Sequence, residues 1–263
     1  MAALLTDARP ASDAVSAAVN ALVRARQSHR CTPAAEVPLP DAEAAYAVQE
    51  QVAHTLRWLV AGEPGTWKIG VASGALRRTH ARLPPAGVWR SPAHAADWPF
   101  NLRGIEAEIA FRLGREITPR EAMALEVRDA AAFIDAMCVS IEIADSRWTE
   151  GLKAPALNVL ADLQSHGALV LGDWVPFAPR DWTTQACRVA VGPRPPVERR
   201  GSHALGDPTQ LLVDWMRHAT HSGQALPAGC VVTTGSWVGI VDAMRGDRVD
   251  AEFPGIGAAS VQL

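Results

Sequence analysis

The sequence predicts an α+β protein, with a helical layer over residues 1–65 and one mixed, strand-rich domain over residues 66–263. Three observations carry that expectation. The opening segment repeats apolar residues at three- and four-residue spacing, which puts them on one side of a helix. Most of the remainder consists of short apolar or alternating runs of strand length, bounded by glycine and proline. Finally, 48% hydrophobic and 20% charged residues in a chain of 263 supply enough apolar side chains for a sizeable core.

Each element has its own local signal. Ser12 is placed to cap a first helix with Val15, Val19, Leu22 and Val23 on one stripe. After the break at Pro38–Pro40, Asp41 caps a second helix. Its stripe is Ala45, Val48, Val52 and Leu59, and Gly62 with Pro64 ends it. From Arg77 to Pro99 runs a linker with four prolines and little periodicity, expected to be an irregular functional loop or mobile. Thr118-Pro119-Arg120-Glu121 is a capping box with proline at the first helical position, and Met123, Val127, Ala130 and Ile134 follow at helical spacing. Strand-like runs come next at Met137–Ala144, Ala168–Leu171 and Cys187–Val191. Asp207-Pro208-Thr209-Gln210 opens another capped helix with Leu211, Leu212, Trp215, Met216 and Ala219 inward. Strands at Cys230–Thr234, Val249–Phe253 and Ser260–Leu263 finish the chain.

Composition narrows the function classes. A formal charge of −3 lacks the basic footprint of a nucleic-acid binder, and no polybasic tract marks a membrane surface. The opening MAALLTDARP has neither a cationic start nor a long apolar core, so no secretory leader is expected. The longest apolar stretch, near Ala130–Ala144, is interrupted by Asp135 and Glu142, which argues against a membrane span. Cys31, Cys138, Cys187 and Cys230 form no CxxC pair, so a reducing cytoplasm is expected. There is no GxSxG elbow, P-loop or HExxH, and Gly255-Ile256-Gly257 has no room for the helix a dinucleotide loop requires.

Two segments carry acidic groups where the pattern is otherwise apolar. In Arg103–Phe111, strand alternation puts Glu106 and Glu108 on one face and Ile105, Ala107 and Ile109 on the other. In Val139–Ala144, Glu142 shares a face with Ser140 and Ala144, opposite Val139, Ile141 and Ile143. Pattern alone leaves two readings open. A Glu-x-Glu can be the solvated face of an antiparallel sheet. Alternatively, three carboxylates converge on a divalent cation that offsets their repulsion and lost hydration, with all-oxygen ligation suited to Mg²⁺ or Mn²⁺. Glu142, in a run that reads as interior, favours the second. Lys68, in Thr66-Trp67-Lys68-Ile69-Gly70, is either a proton donor or electrostatic clamp, or a snorkelling surface lysine. Asp162-Leu163-Gln164-Ser165-His166-Gly167 is a polar turn able to hydrogen-bond a ligand, or an ordinary turn.

Taken in order, AAYAVQEQV (45–53), WKIGVAS (67–73), GIEAEIAFRLGREI (104–117), SIEIADSRW (140–148), ADLQSHGALVLG (161–172), the GDP helix (206–221) and the segment 231–263 resemble the hydratase/decarboxylase branch of the fumarylacetoacetate hydrolase family. The resemblance implies a mixed β-roll with peripheral helices, assembled as a homo-oligomer. It implies a divalent metal, Mg²⁺ or Mn²⁺, on Glu106, Glu108 and Glu142. It also implies catalytic roles for Lys68 and Ser165, and substrate contacts from Asp162, Thr234 and Ser236. The implied activity is that of a metal-dependent lyase of aromatic catabolism, hydrating a small 2-hydroxydienoate or 2-oxoalkenoate through an enolate to a 4-hydroxy-2-oxo acid. Decarboxylation of an unsaturated 2-oxo diacid, C–C hydrolysis of an acylpyruvate, and a non-catalytic assembly partner are the alternatives. Two positions depart from the pattern: Leu83-Pro84-Pro85-Ala86-Gly87 has proline where an aspartate is expected, with His80 the nearby candidate to replace it, and the polar turn has Leu163 where relatives often carry asparagine.

Overall fold

The computed structural model describes residues 8–58, 63–71 and 78–263. Leu59, Gly62, Ala72, Ser73 and Arg77, named above, lie outside the described residues. Among those described, the α-helices are α1 (Ala8–Ser28), α2 (Ala42–Thr55), α3 (Pro119–Ala124), α4 (Ala156–Ala161) and α5 (Leu212–Ala219). The strands begin with β1 (Thr66–Gly70), β2 (Thr79–Arg82), β3 (Val88–Arg90), β4 (Ala93–His94), β5 (Gly104–Leu113), β6 (Ile134–Ala144) and β7 (His166–Leu171). They continue with β8 (Val175–Pro176), β9 (Ala186–Val191), β10 (Val197–Arg200), β11 (Val231–Thr233), β12 (Val241–Asp242), β13 (Arg248–Phe253) and β14 (Gly257–Gln262).

The chain forms two compact units, and they do not follow a sequential division at residue 65. Pro99–Leu102 and Asp145–His166 belong with the described residues of Met1–Val60. In this helical unit α1 buries Val15, Ala18, Val19, Leu22 and Ala25, while α2 buries Ala45, Val48 and Val52. Buried polar side chains tie the later segment in: Gln49 Nε2 donates to Leu160 O at 2.6 Å, Asn158 Nδ2 to Val37 O at 3.0 Å, and Trp148 Nε1 to Asn158 O at 2.8 Å. Asp41 caps α2 as expected, accepting from Ala44 N at 2.8 Å. Two boundaries differ. Helix α1 spans Ala8–Ser28 among the described residues, so Ser12 lies inside it. Helix α2 stops at Thr55, well before Gly62, because Arg57 adopts a φ of 55° and lets Trp58 N reach back to Ala53 O at 2.9 Å.

The second unit holds two sheets. The larger has the order β2-β1-β11-β5-β6-β7-β3, with β12 also on β5 and β8 also on β6; the smaller is β10-β9-β13-β14-β4. Both mix parallel and antiparallel pairs. Strands β13 and β14 pack against β6. The apolar face of β5 and β6, with Ile105, Ala107, Ile109, Phe111, Ile141 and Ile143 all fully buried, is thus core. An aromatic chain runs from Phe111 through Trp182 and Trp237 to Phe253, with centroid separations of 6.1, 6.1 and 5.5 Å. No helix among the described residues is long and apolar enough to cross a membrane.

Two further expectations change in this unit. The helix expected from Thr118 forms its capping box but ends at Ala124, leaving Met123 and Val127 exposed and Ile134 in β6. The Arg217 guanidinium of α5 binds Ala122 O and Leu125 O at 3.3 and 2.7 Å, satisfying carbonyls that a continuing helix would have used. The stretch read as an irregular linker instead contains β2, β3 and β4, because its prolines fall in turns and at strand ends.

Candidate metal centre

The site is built by strand register. Glu106 on β5 lies directly opposite Glu142 on β6, and Glu108 opposite Ser140. On the other side of β5, Thr233 of β11 pairs with Ala110, and Lys68 of β1 pairs with Thr233. Cross-strand partners and every second residue along a strand share a face. Lys68, Thr233, Glu108, Glu106, Ser140 and Glu142 therefore project from one face of four neighbouring strands. Further along that face Ala110, Cys138 and Val231 form a buried apolar cluster, with Leu171 and Trp174 packed against it.

The three glutamates each offer a carboxylate oxygen within 4.8 Å of the other two. Glu142 is fully buried, Glu108 is 2% exposed and Glu106 is partly exposed. Burial first, then the neighbouring Glu142 charge, pushes the Glu106 carboxyl up to about 7; the same causes, with Glu106 added, push Glu108 up to about 8. Lys68 Nζ sits 2.5 Å from Glu142 Oε1. Burial pulls its ammonium down, but the carboxylates, Glu142 foremost, outweigh that and hold it above the ordinary lysine value. One ammonium cannot balance three carboxylates, so Glu106 and Glu108 resist ionising together unless a further cation joins Lys68. Hard oxygen donors, low exposure and that imbalance fit a divalent cation of the Mg²⁺ class.

A hydroxyl pair completes the face. Thr233 Oγ1 donates to Glu108 Oε2, and Ser140 Oγ lies 2.8 Å from Thr233 Oγ1. Both hydroxyls are fully buried. Nothing in the sequence distinguishes Thr233 from its neighbours; the register of β11 on β5 does.

The other expected residues lie elsewhere. Thr234, one residue on, faces away: its hydroxyl donates to Ile109 O at 2.8 Å, and its carbonyl lies 2.8 Å from His203 Nε2. Ser236 closes a local turn by donating to Gly239 O at 2.7 Å. His80 pairs with Ile69 whereas Lys68 pairs with Ala81, so alternation puts His80 on the opposite face, packed on His218 at 3.3 Å between ring centroids. It does not stand in for the expected aspartate beside Lys68.

Asp162 and Ser165 belong to the helical unit. Asp162 is fully buried with both oxygens engaged: Oδ1 by Arg26 at 2.9 Å and Arg147 Nε at 2.8 Å, Oδ2 by the Arg147 backbone N and Nε, each at 2.9 Å. Neither arginine stood out in the sequence. Leu163, Gln164 and Ser165 follow in left-handed conformation, with φ of 54°, 56° and 58°. That turn is closed by Ser165 N to Asp162 O at 3.0 Å and Asp145 N to Ser165 O at 2.8 Å. Ser165 is 3% exposed and its Oγ has no hydrogen-bond partner among the described residues.

With this geometry in hand, known proteins give the context. The family pattern described as fumarylacetoacetate (FAA) hydrolase C-terminal matches residues 81–263. A 4-oxalocrotonate decarboxylase of a Pseudomonas species is 30% identical over 161 residues, 59% of this chain and 59% of that protein. A 2-keto-4-pentenoate hydratase of Paraburkholderia xenovorans (strain LB400) is 28% identical over 161 residues, 60% of this chain and 58% of its own length. The match thus spans less than two thirds of these relatives. Among solved structures, 4-oxalocrotonate decarboxylase from Pseudomonas putida G7, complexed with magnesium and adipate, superposes with a TM-score of 0.80. That superposition covers 95% of this chain and 97% of the other at 20% identity, a likeness of fold. The α+β fold with curled mixed sheets and the match over residues 81–263 lead to one conclusion: the chain belongs to the fumarylacetoacetate hydrolase family.

Proposed function

We propose that this chain is a metal-dependent lyase acting on a small 2-oxo acid or its dienol, with hydration of a 2-hydroxydienoate as the reaction. The observation that carries the reading is the convergence of Glu106, Glu108 and Glu142 beside Lys68 on one buried sheet face. These three glutamates would hold Mg²⁺ or Mn²⁺, which when bound supplies a Lewis acid to the 2-oxo and carboxylate oxygens of the substrate.

The chain's own residues do the rest. Glu106, Glu108 and Glu142 would hold that cation on the inner face of the sheet, and through its charge would draw the anionic end of the substrate there. Lys68, held by Glu142, keeps a fixed positive charge where negative charge develops on the enolate oxygen. The apolar cluster of Ala110, Cys138 and Val231, covered by Leu171 and Trp174, keeps bulk water from that end of the acidic face. Ketonisation of the 2-hydroxydienoate, with loss of the enol proton and protonation at its distal carbon, gives a conjugated 2-oxoalkenoate, to which one water adds at C4 and C3 to give a 4-hydroxy-2-oxo acid. By resemblance Ser165 is the further polar catalytic group, consistent with its buried hydroxyl. Asp162 acts as the anchor of that turn, since its oxygens are taken by Arg26 and Arg147. Thr234 and Ser236 shape the end of β11 through their backbone bonds. The same reading includes a cytoplasmic homo-oligomer.

Decarboxylation of an unsaturated 2-oxo diacid is the second reading, favoured by the 30% identical relative of that name. The electron sink is shared, and only the departing group differs. A panel of 2-hydroxydienoates and 2-oxo diacids tests both readings. Loss of the ultraviolet dienol band without CO₂ identifies hydration, whereas trapped CO₂ identifies decarboxylation. Equal activity in excess chelator would overturn metal dependence.

A further inference from the structure

The bond between Thr233 and Glu108 bears on which cation the site accepts, an inference that rests on the metal-centre reading above. With Glu108 ionised, as a metal ligand must be, the one proton of Thr233 Oγ1 goes to Glu108 Oε2. Its contact with Ser140 Oγ, at 2.8 Å, is then one in which Ser140 donates and Thr233 accepts. The two hydroxyls form a directed chain ending on one oxygen of one carboxylate. Both residues are fully buried and lie on strands, Ser140 directly opposite Glu108 and Thr233 opposite Ala110, so the chain is rigid and water does not compete for it. Engagement of Oε2 restrains the rotation of the carboxylate and occupies one of that oxygen's lone pairs, which leaves Oε1 the better ligand atom.

A one-oxygen carboxylate suits one class of ion better than another. Mg²⁺ demands six ligands at short distance in near-octahedral array, a geometry that single carboxylate oxygens satisfy. Ca²⁺ takes up to eight oxygens at longer distance and gains from carboxylates that chelate through both. We propose that Thr233, oriented by Ser140, is a positioning residue that restricts Glu108 to one ligating oxygen and so biases the centre toward a small six-coordinate cation over Ca²⁺.

Isothermal titration of the metal-free full chain with MgCl₂, MnCl₂ and CaCl₂ tests this. Wild type should bind Mg²⁺ and Mn²⁺ in preference to Ca²⁺. Thr233→Val, which keeps the shape and removes the hydroxyl, should shift the Mg²⁺/Ca²⁺ affinity ratio toward Ca²⁺ by about tenfold, the lower end of the range by which loss of a ligand's hydrogen-bond partner changes metal affinity. Thr233→Ser should restore the wild-type ratio, and Ser140→Ala, which frees the Thr233 hydroxyl to rotate, should give a smaller shift in the same direction. A merely structural role would move both ions equally. Tight metal binding with an unchanged ratio in both Thr233→Val and Ser140→Ala overturns the selectivity assignment and leaves the metal-centre reading standing. Absence of binding of all three ions to wild type overturns both. If Thr233→Val does not fold, judged by its metal-free unfolding curve, Ser140→Ala decides alone.

Discussion

Replacing Asp162 with alanine removes the acceptor at the centre of a buried cationic pair. Arg147 is 6% exposed, and burial foremost, with the Arg147 charge next, lowers Arg26 to about 10 even with Asp162 in place. Without Asp162, Arg147 keeps Asp145, at 3.3 Å, while Arg26 keeps its place 5.0 Å over the Trp58 ring. Breaking a buried pair by deleting one partner costs about 3–5 kcal/mol, because the remaining charge stays desolvated. The left-handed run from Leu163 to Ser165 costs about 1–2 kcal/mol per residue, so it relaxes once its anchor is gone. Arg26→Ala should cost less, about 1–2 kcal/mol, since Asp162 retains its bonds to Arg147 and one like-charge neighbour disappears. Urea unfolding followed by circular dichroism and tryptophan fluorescence measures each change. Mg²⁺ affinity of the folded protein should stay within a few-fold. An unfolding midpoint unchanged by Asp162→Ala, together with lost turnover, would refute the anchor role and return Asp162 to direct substrate contact.

Glu142→Ala and Glu106→Ala should each abolish Mg²⁺ binding in titration calorimetry and metal-dependent turnover, while circular dichroism stays that of wild type; full activity in either sinks the centre. Lys68→Met should lower turnover by more than it weakens Mg²⁺ binding, and the reverse split would make Lys68 structural. For metal-free protein, burial and the neighbouring carboxylates let folded Glu106 and Glu108 hold protons to about 7 and about 8, against 4.5 for a solvated glutamate in the unfolded chain. The folded state therefore binds more protons than the unfolded one across that window, so melting temperature in chelator should fall as pH rises from about 5 to 8. Saturating Mg²⁺ should flatten the profile, and a melting temperature in chelator that rises over this range would contradict it.

How much of this was legible beforehand differs by element. The acidic faces of β5 and β6 were readable because strand alternation is a property of adjacent residues: Ile105, Ala107 and Ile109 had to face one way and Glu106 with Glu108 the other. Caps at Asp41, Thr118 and Asp207 were readable for the same local reason. Helix ends were harder. Arg57 ends α2 in a conformation normally left to glycine, and α3 is cut short by Arg217 from a distant helix.

Residue types and their alternation, then, were determined by the sequence alone: which faces are apolar, which carry carboxylates, and that Lys68 interrupts an apolar run. Tertiary structure decided which of them meet. It set Glu106 opposite Glu142, brought Lys68 and Thr233 onto the same face through β11, turned Thr234 and His80 away, and closed Arg26 and Arg147 on Asp162. The physical reason is range. Backbone alternation acts between neighbours in the chain, whereas the energy of a charge cluster depends on separations of a few ångströms that only long-range strand pairing sets.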